Sequence, residues 1–262
     1  MSFAEIMASA RTMDGGHGFE VAVPDSWLQG RTAYGGFSAA LALEAARRLD
    51  VDLPPLRSAQ IAFVGPVSGE VQVVPRLLRR GRNATWIAVE IAGEGRVGLV
   101  ATLVFMRSLP SAAKVDALSP PAGLIAPGEA AMATSELRPA FLQHNFETRF
   151  ALPKSPDNAA DICLWVRLLE RDGLSAESEL LLVGDALPPA VLPVMEQRGP
   201  VSSLTWQVNL LGSDRAPSAD GWWLLRSTAD YAEAGNSSQT MLLWARDCTA
   251  RAASTQSVAV FA

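Results

Sequence analysis

Cysteine is almost absent from the chain: Cys163 and Cys248 stand alone, without C-x-x-C spacing. A disulfide framework and a structural zinc site are thereby excluded, and a reducing compartment, the cytoplasm, is the expected location. Histidine is as scarce, with only His17 and His144 to serve a Ser-His-Asp triad. No G-x-S-x-G elbow, phosphate-cradling P-loop or H-E-x-x-H zinc helix occurs, so the common nucleophilic, nucleotide-binding and metalloprotease sites are missing. No metal and no cofactor is expected. Positive charge is in deficit as well, with a formal net charge of −5, which argues against nucleic acid or an anionic membrane surface as partner. The stretch from Met1 to Arg11 places Glu5 early and holds no sustained apolar run, so it reads as neither a signal peptide nor a membrane span.

What is present suffices for a full core: 49% of the 262 residues are hydrophobic. A short strand from Phe19 to Pro24 leads through Gly30-Arg31-Thr32-Ala33-Tyr34-Gly35-Gly36 into a predicted helix over Phe37 to Leu49. That helix is small on every side (Ala39, Ala40, Ala42, Ala45, Ala46), the pattern of a helix buried all round. Strand-like runs follow at Leu56 to Val64, Val71 to Arg79, Thr85 to Ile91 and Gly98 to Met106, separated by turn signals such as Gly65-Pro66 and Gly93-Glu94-Gly95. Residues 1–112 thus form one unit, a meander behind a helix. The Pro-, Ala- and Gly-rich stretch 113–135 reads as a surface linker. Residues 136–262 repeat the order, with strands near Phe141 to Leu152 and Ile162 to Leu169, and a Leu180 to Asp185 segment read as leading into the second helix.

The tail matches the first half residue by residue. Arg57 to Phe63 parallels Ser202 to Val208, Gly81 to Trp86 parallels Gly235 to Thr240, and Ala101 to Phe105 parallels Ser257 to Phe261. In this alignment Asp185 falls near Gly36 and Gln256 opposite Val100, so the second repeat carries polar groups where the first has none. The fold class expected is α+β, two helix-on-antiparallel-sheet repeats joined into one composite sheet. The free edges of such a sheet point to a homodimer.

Arg31 to Phe37 before the small-residue helix, and Gly184-Asp185-Ala186-Leu187-Pro188-Pro189-Ala190-Val191 later, resemble the two helix starts of acyl-CoA thioesterase II-like proteins, a family of double hotdogs. The resemblance covers nearly the whole chain. It implies hydrolysis of fatty-acyl or related CoA thioesters, with acyl-CoA as partner. It also implies a site in the second repeat made of an Asp at the start of the second helix, a hydroxyl on the next strand and a Gln on the last strand. These fall on Asp185, Ser203 and Gln256. Two departures stand out: Ser203 replaces a frequent Thr, and Thr205-Trp206 replaces an Asp-His pair.

Water-mediated hydrolysis needs a base, groups that orient the water, and donors where the carbonyl oxygen gains charge. Asp185, Ser203 and Gln256 supply the first two; amides at Gly36 and Phe37, at a helix start, are the candidates for the third. Each residue has a plainer alternative. Asp185 could be an N-cap, Gly35-Gly36 a tight turn, and Gln256 an outward strand residue. Thr205, two positions from Ser203, is an alternative hydroxyl and a candidate substrate-binding residue. Arg79, Arg80 and Arg82 read as a solvated hairpin tip. Two rival functions share the fold: a non-catalytic acyl-CoA binder or scaffold, and a hotdog enoyl-CoA hydratase, which needs a His beside its Asp.

Overall fold

A computed structural model describes residues 1–134, 138–153, 159–197, 199–212 and 218–261. In chain order the elements are α1 (Phe3–Ser9), β1 (Arg11–Thr12), β2 (Phe19–Ala22), β3 (Leu28–Gln29), β4 (Thr32–Ala33), α2 (Gly35–Leu49) and β5 (Leu56–Phe63). Next come β6 (Glu70–Arg80), β7 (Ala84–Gly93), β8 (Arg96–Met106), α3 (Ala140–Asn145), β9 (Phe146–Phe150), β10 (Asp161–Leu168) and α4 (Ala176–Gly184). The chain closes with β11 (Val201–Leu210), β12 (Trp222–Glu233), β13 (Asn236–Ala245) and β14 (Ala250–Val260).

All but β3 and β4 belong to one antiparallel sheet in the order β1-β2-β6-β7-β8-β5-β11-β14-β13-β12-β10-β9. Read outward from the middle, each half repeats the same arrangement. The halves meet where β5 pairs with β11, from Thr205 opposite Ala62 to Asn209 opposite Ser58. One continuous sheet therefore wraps both long helices.

The small residues of α2 explain how two helices fit inside. Ala39, Ala40, Ala42, Ala45 and Ala46 are all fully buried, and side chains this short let α4 and the sheet approach closely without voids. The helices run antiparallel. At one end Arg47 of α2 donates to Ser175 (2.5 Å) and pairs with Glu177, while the Ser178 hydroxyl donates to Glu44 at 2.7 Å. At the other end the start of α2 meets the end of α4, where the site lies.

Three expectations need correction. The second helix ends at Gly184 rather than starting there: Ser175 caps it by accepting the Ser178 amide, with Glu177 and Glu179 in its first turn, where acids favour the helix dipole. The segment near Phe141 is a short helix, α3, before β9, so His144 is helical. Gln256 points inward whereas Val100 is 39% exposed on the outer face, so the repeats align one residue away from the expected match.

The edges from which a homodimer is expected are only partly covered: β6 pairs with β2 over residues 70–73 alone, so among the described residues the stretch 74–80 has no strand on that side. At one edge β1 is only two residues long and carries Arg11, two devices that discourage strand pairing. At the other, β9 is covered by residues 131–133, through Phe150 N–H to Ala131 O (2.9 Å) and Ala133 N–H to Thr148 O (2.8 Å). The stretch expected as a surface linker is likewise divided. It is largely exposed up to Leu118, but then crosses the outer face of the second half and takes the indole N–H of Trp244 on Leu118 O and that of Trp165 on Ile125 O.

Candidate active site

The turn after α4 carries Asp185, which both helices hold in place. Tyr34, just before α2, is fully buried, stacks on Phe141 at 4.0 Å and donates its hydroxyl to Leu182 O at 2.8 Å. The first turn of α2 then presses against Asp185 at glycines. A Cβ on Gly35 would stand 2.4 Å from the Asp185 Oδ2, and one on Gly36 2.7 Å from the Leu181 carbonyl oxygen. Glycine permits this close approach: a Cβ would collide with side chains at Gly35 and with backbone at Gly36.

Gln256 of β14 donates its amide to Asp185 Oδ1 at 2.5 Å, and its Oε1 accepts the Ser203 hydroxyl of β11 at 3.3 Å. The structure thus brings together Asp185, Ser203 and Gln256 from three separate elements. Burial pushes the Asp185 carboxyl up to about 7, against the downward pull of hydrogen bonds from Gln256 and the Gly36 amide. The positive end of the α2 dipole favours the ionised form as well. Burial, and secondarily the Asp185 charge, hold the Tyr34 phenol well above its ordinary range.

Asp185 and Ser203 line a cavity of about 490 Å³, walled on the other side by Arg31, Gly35, Ser38 and Phe63 of the first half. Arg31 is exposed at the tip of the β3–β4 hairpin, whose turn uses Gly30 at φ +66°. A carboxyl that titrates near 7 and a hydroxyl on one wall of a cavity, tied together from behind by the Gln256 amide, can hold and deprotonate a water.

The other candidates lie elsewhere. Thr205 is exposed on the outer face, because the β11 register shifts between Ser203 and Thr205 and reverses which face the chain presents. Phe37 is a core residue, its ring 5.0 Å from Trp27 and 5.7 Å from Phe3. The Gly36 amide already serves Asp185, so it is not free to polarise a substrate carbonyl. Asp185 follows its helix, which removes the N-cap alternative. Trp206 is buried inward, in contact range of Gly184. Both histidines are exposed and neither lines the cavity, which leaves a hydratase without its second group. Among the described residues no three His, Cys, Asp or Glu stand close enough to hold a metal ion.

Residues missed in the sequence are Tyr34 and Gln239. Gln239 sits opposite Gln256 on β13 and donates to its Oε1 at 2.8 Å. Its signal was alternation, since Ser237, Gln239, Met241 and Leu243 are all buried on one face of the strand.

Two helix-wrapped antiparallel sheets joined edge to edge define a double hotdog. The same fold is found in a hot dog fold protein from Alicyclobacillus acidocaldarius (TM-score 0.88, 19% identity, covering 100% of this chain and 99% of that one). It recurs in the tesB protein of Mycobacterium avium subspecies paratuberculosis (TM-score 0.79, 16% identity, 100% of both chains). A third example is the acyl-CoA thioesterase II TesB2 of Mycobacterium marinum (TM-score 0.74, 18% identity, 100% of this chain and 97% of that one). Residues 23–106 match the acyl-CoA thioesterase N-terminal domain, and residues 112–260 the acyl-CoA thioesterase C-terminal domain. The chain belongs to the acyl-CoA thioesterase II-like family and is a thioester hydrolase. No curated protein matches it in sequence. No helix among the described residues is long and apolar enough to cross a membrane.

Proposed function

We propose that the chain hydrolyses an acyl-CoA thioester with Asp185 as general base on a water held by Ser203 and Gln256. The observation that supports this reading is the hydrogen-bonded convergence of those three side chains beside one cavity. The water gives a proton to the Asp185 carboxylate as its oxygen attacks the carbonyl carbon. The tetrahedral adduct then collapses with cleavage of the C–S bond, and the proton held on Asp185 passes to the departing thiolate. No covalent enzyme intermediate is needed. Because Ser203 donates to Gln256, the lone pairs of its hydroxyl remain to accept the second hydrogen of the water. Arg31, exposed and lining the cavity, offers a cation to an anionic substrate such as CoA.

The deciding experiment is thiol release over a panel of acyl-CoA chain lengths, run beside a binding measurement. Free thiol is expected; saturable binding without it would assign the protein to the binders.

The pH dependence follows from the same carboxylate. A base must be ionised to act, and burial holds Asp185 near 7, so kcat/KM is expected to rise with pH through about 7 and level off above it. A profile flat down to about pH 5, as an ordinary carboxylate would give, would remove Asp185 from the role.

A further inference from the structure

We propose that Gln239 is a positioning residue that fixes which end of the Gln256 amide faces Asp185. The inference rests on the reading of Asp185 as the base. A glutamine amide has nearly the same shape either way round, so its orientation is set by its partners. Here the partners form a one-way chain that begins at the backbone. The Ala190 N–H can only donate, and it donates to Gln239 Oε1 at 2.9 Å. The Gln239 amide nitrogen must then turn the other way, where it donates to Gln256 Oε1 at 2.8 Å. With its oxygen held there, and also by the Ser203 hydroxyl, Gln256 has its NH2 group left to face Asp185 Oδ1.

Gln239 is 1% exposed and Gln256 4%, so water does not compete freely for either amide. The opposite orientation would set the Gln256 oxygen against the Asp185 carboxylate and favour the protonated acid, which is no base. Two acceptors would face each other, and Ser203 would have to give up donating to Gln256. Around Asp185 the other groups are fixed: the Gly36 amide donates to it, the Tyr34 phenol is neutral and buried, and Arg31 is the cation lining the same cavity. The hydrogen bonds of Gln239 go to Ala190, Gln256 and Met241, so the relay acts on Asp185 through Gln256.

The test is Gln239→Met, similar in shape but unable to hydrogen-bond strongly, measured alone and in a Gln256→Met background. Alone, it is expected to lower kcat about tenfold with KM nearly unchanged, and to move the acid limb of kcat/KM up by about one pH unit. In the Gln256→Met background it should have little further effect, because its route to Asp185 is already gone. Equal losses in both backgrounds, or an unmoved acid limb, would overturn the proposal. Should Gln239→Met fail to fold, Gln239→Glu keeps the acceptor for Ala190 and loses the donor to Gln256. It is expected to raise the acid limb by more, and an unmoved limb there is equally fatal. The base reading fails separately, if Asp185→Asn retains turnover; if Asp185→Asn is inactive and the Gln239 variants keep the native pH profile, only the positioning role fails.

Discussion

Asp185→Asn is expected to lower thioester turnover by about 10²- to 10⁴-fold, the range general bases contribute, while substrate affinity changes little. Asparagine keeps the shape and can still accept the Gly36 amide, but cannot take a proton from water. Its amide group also meets the Gln256 NH2 as donor against donor. The same substitution should abolish the loss of stability that the buried carboxyl imposes as pH rises. The native carboxyl is held near 7 and an unfolded one near 4, so the native state binds the extra proton between those values and loses relative stability as pH rises. That penalty is absent below pH 4 and complete above 7. The difference between the denaturant midpoints of the two proteins should therefore shift in favour of Asp185→Asn as pH is raised from 4 to 8. Unchanged hydrolysis in Asp185→Asn would refute the mechanism.

Gly35→Ala is expected to cost about 10²-fold in turnover with the fold retained, since a displacement of about 1 Å in a reacting group costs on that order. The new methyl would stand 2.4 Å from the Asp185 Oδ2 and 2.9 Å from the Phe63 ring. Both are side-chain atoms that can move aside, and the carboxylate leaves its position against Gln256 when it does. Gly36→Ala makes the contrast. Its methyl would meet the Leu181 carbonyl at 2.7 Å, which is backbone, so the two helices must part and thermal stability should fall along with activity. A Gly35→Ala protein with native kcat would show that the carboxylate has room to spare and that the contact is unimportant.

The strands and the duplication were legible because alternation and turn residues speak for themselves. Leu56 to Phe63 and Gly98 to Met106 read almost as they fold. The small-residue helix was legible for the same reason, since only complete burial asks for alanine on every side. The end of α4 is not legible in the sequence, because a run of leucines before Asp185 has no periodicity to show where a helix stops. The signal lay upstream in Ser175 and in the two glutamates after it, where a capped first turn begins. The outward position of Thr205 is not legible either, because a bulge leaves no mark in an alternating pattern; it follows from the β11–β14 register, a long-range property. Alternation marks Gln239 as buried, but its role depends on a backbone amide at Ala190, 49 residues away, which no local pattern reveals.

Because Gly35 and Gly36 come from one half of the chain and Asp185, Ser203 and Gln256 from the other, the proposed site belongs to neither; it is built where the two repeats of one chain meet. What joins them is the β5–β11 seam and the antiparallel α2–α4 pair, locked at its far end by Arg47 and Glu177. The exposed stretch around Lys114 contributes a tether, and a tether adds only local concentration, about millimolar for a short flexible one. Covalent continuity is then dispensable while stoichiometry is not. A chain cut once near Lys114 should stay assembled and keep its turnover, whereas either half produced alone should have none, and mixing the two halves in equal amounts should restore it.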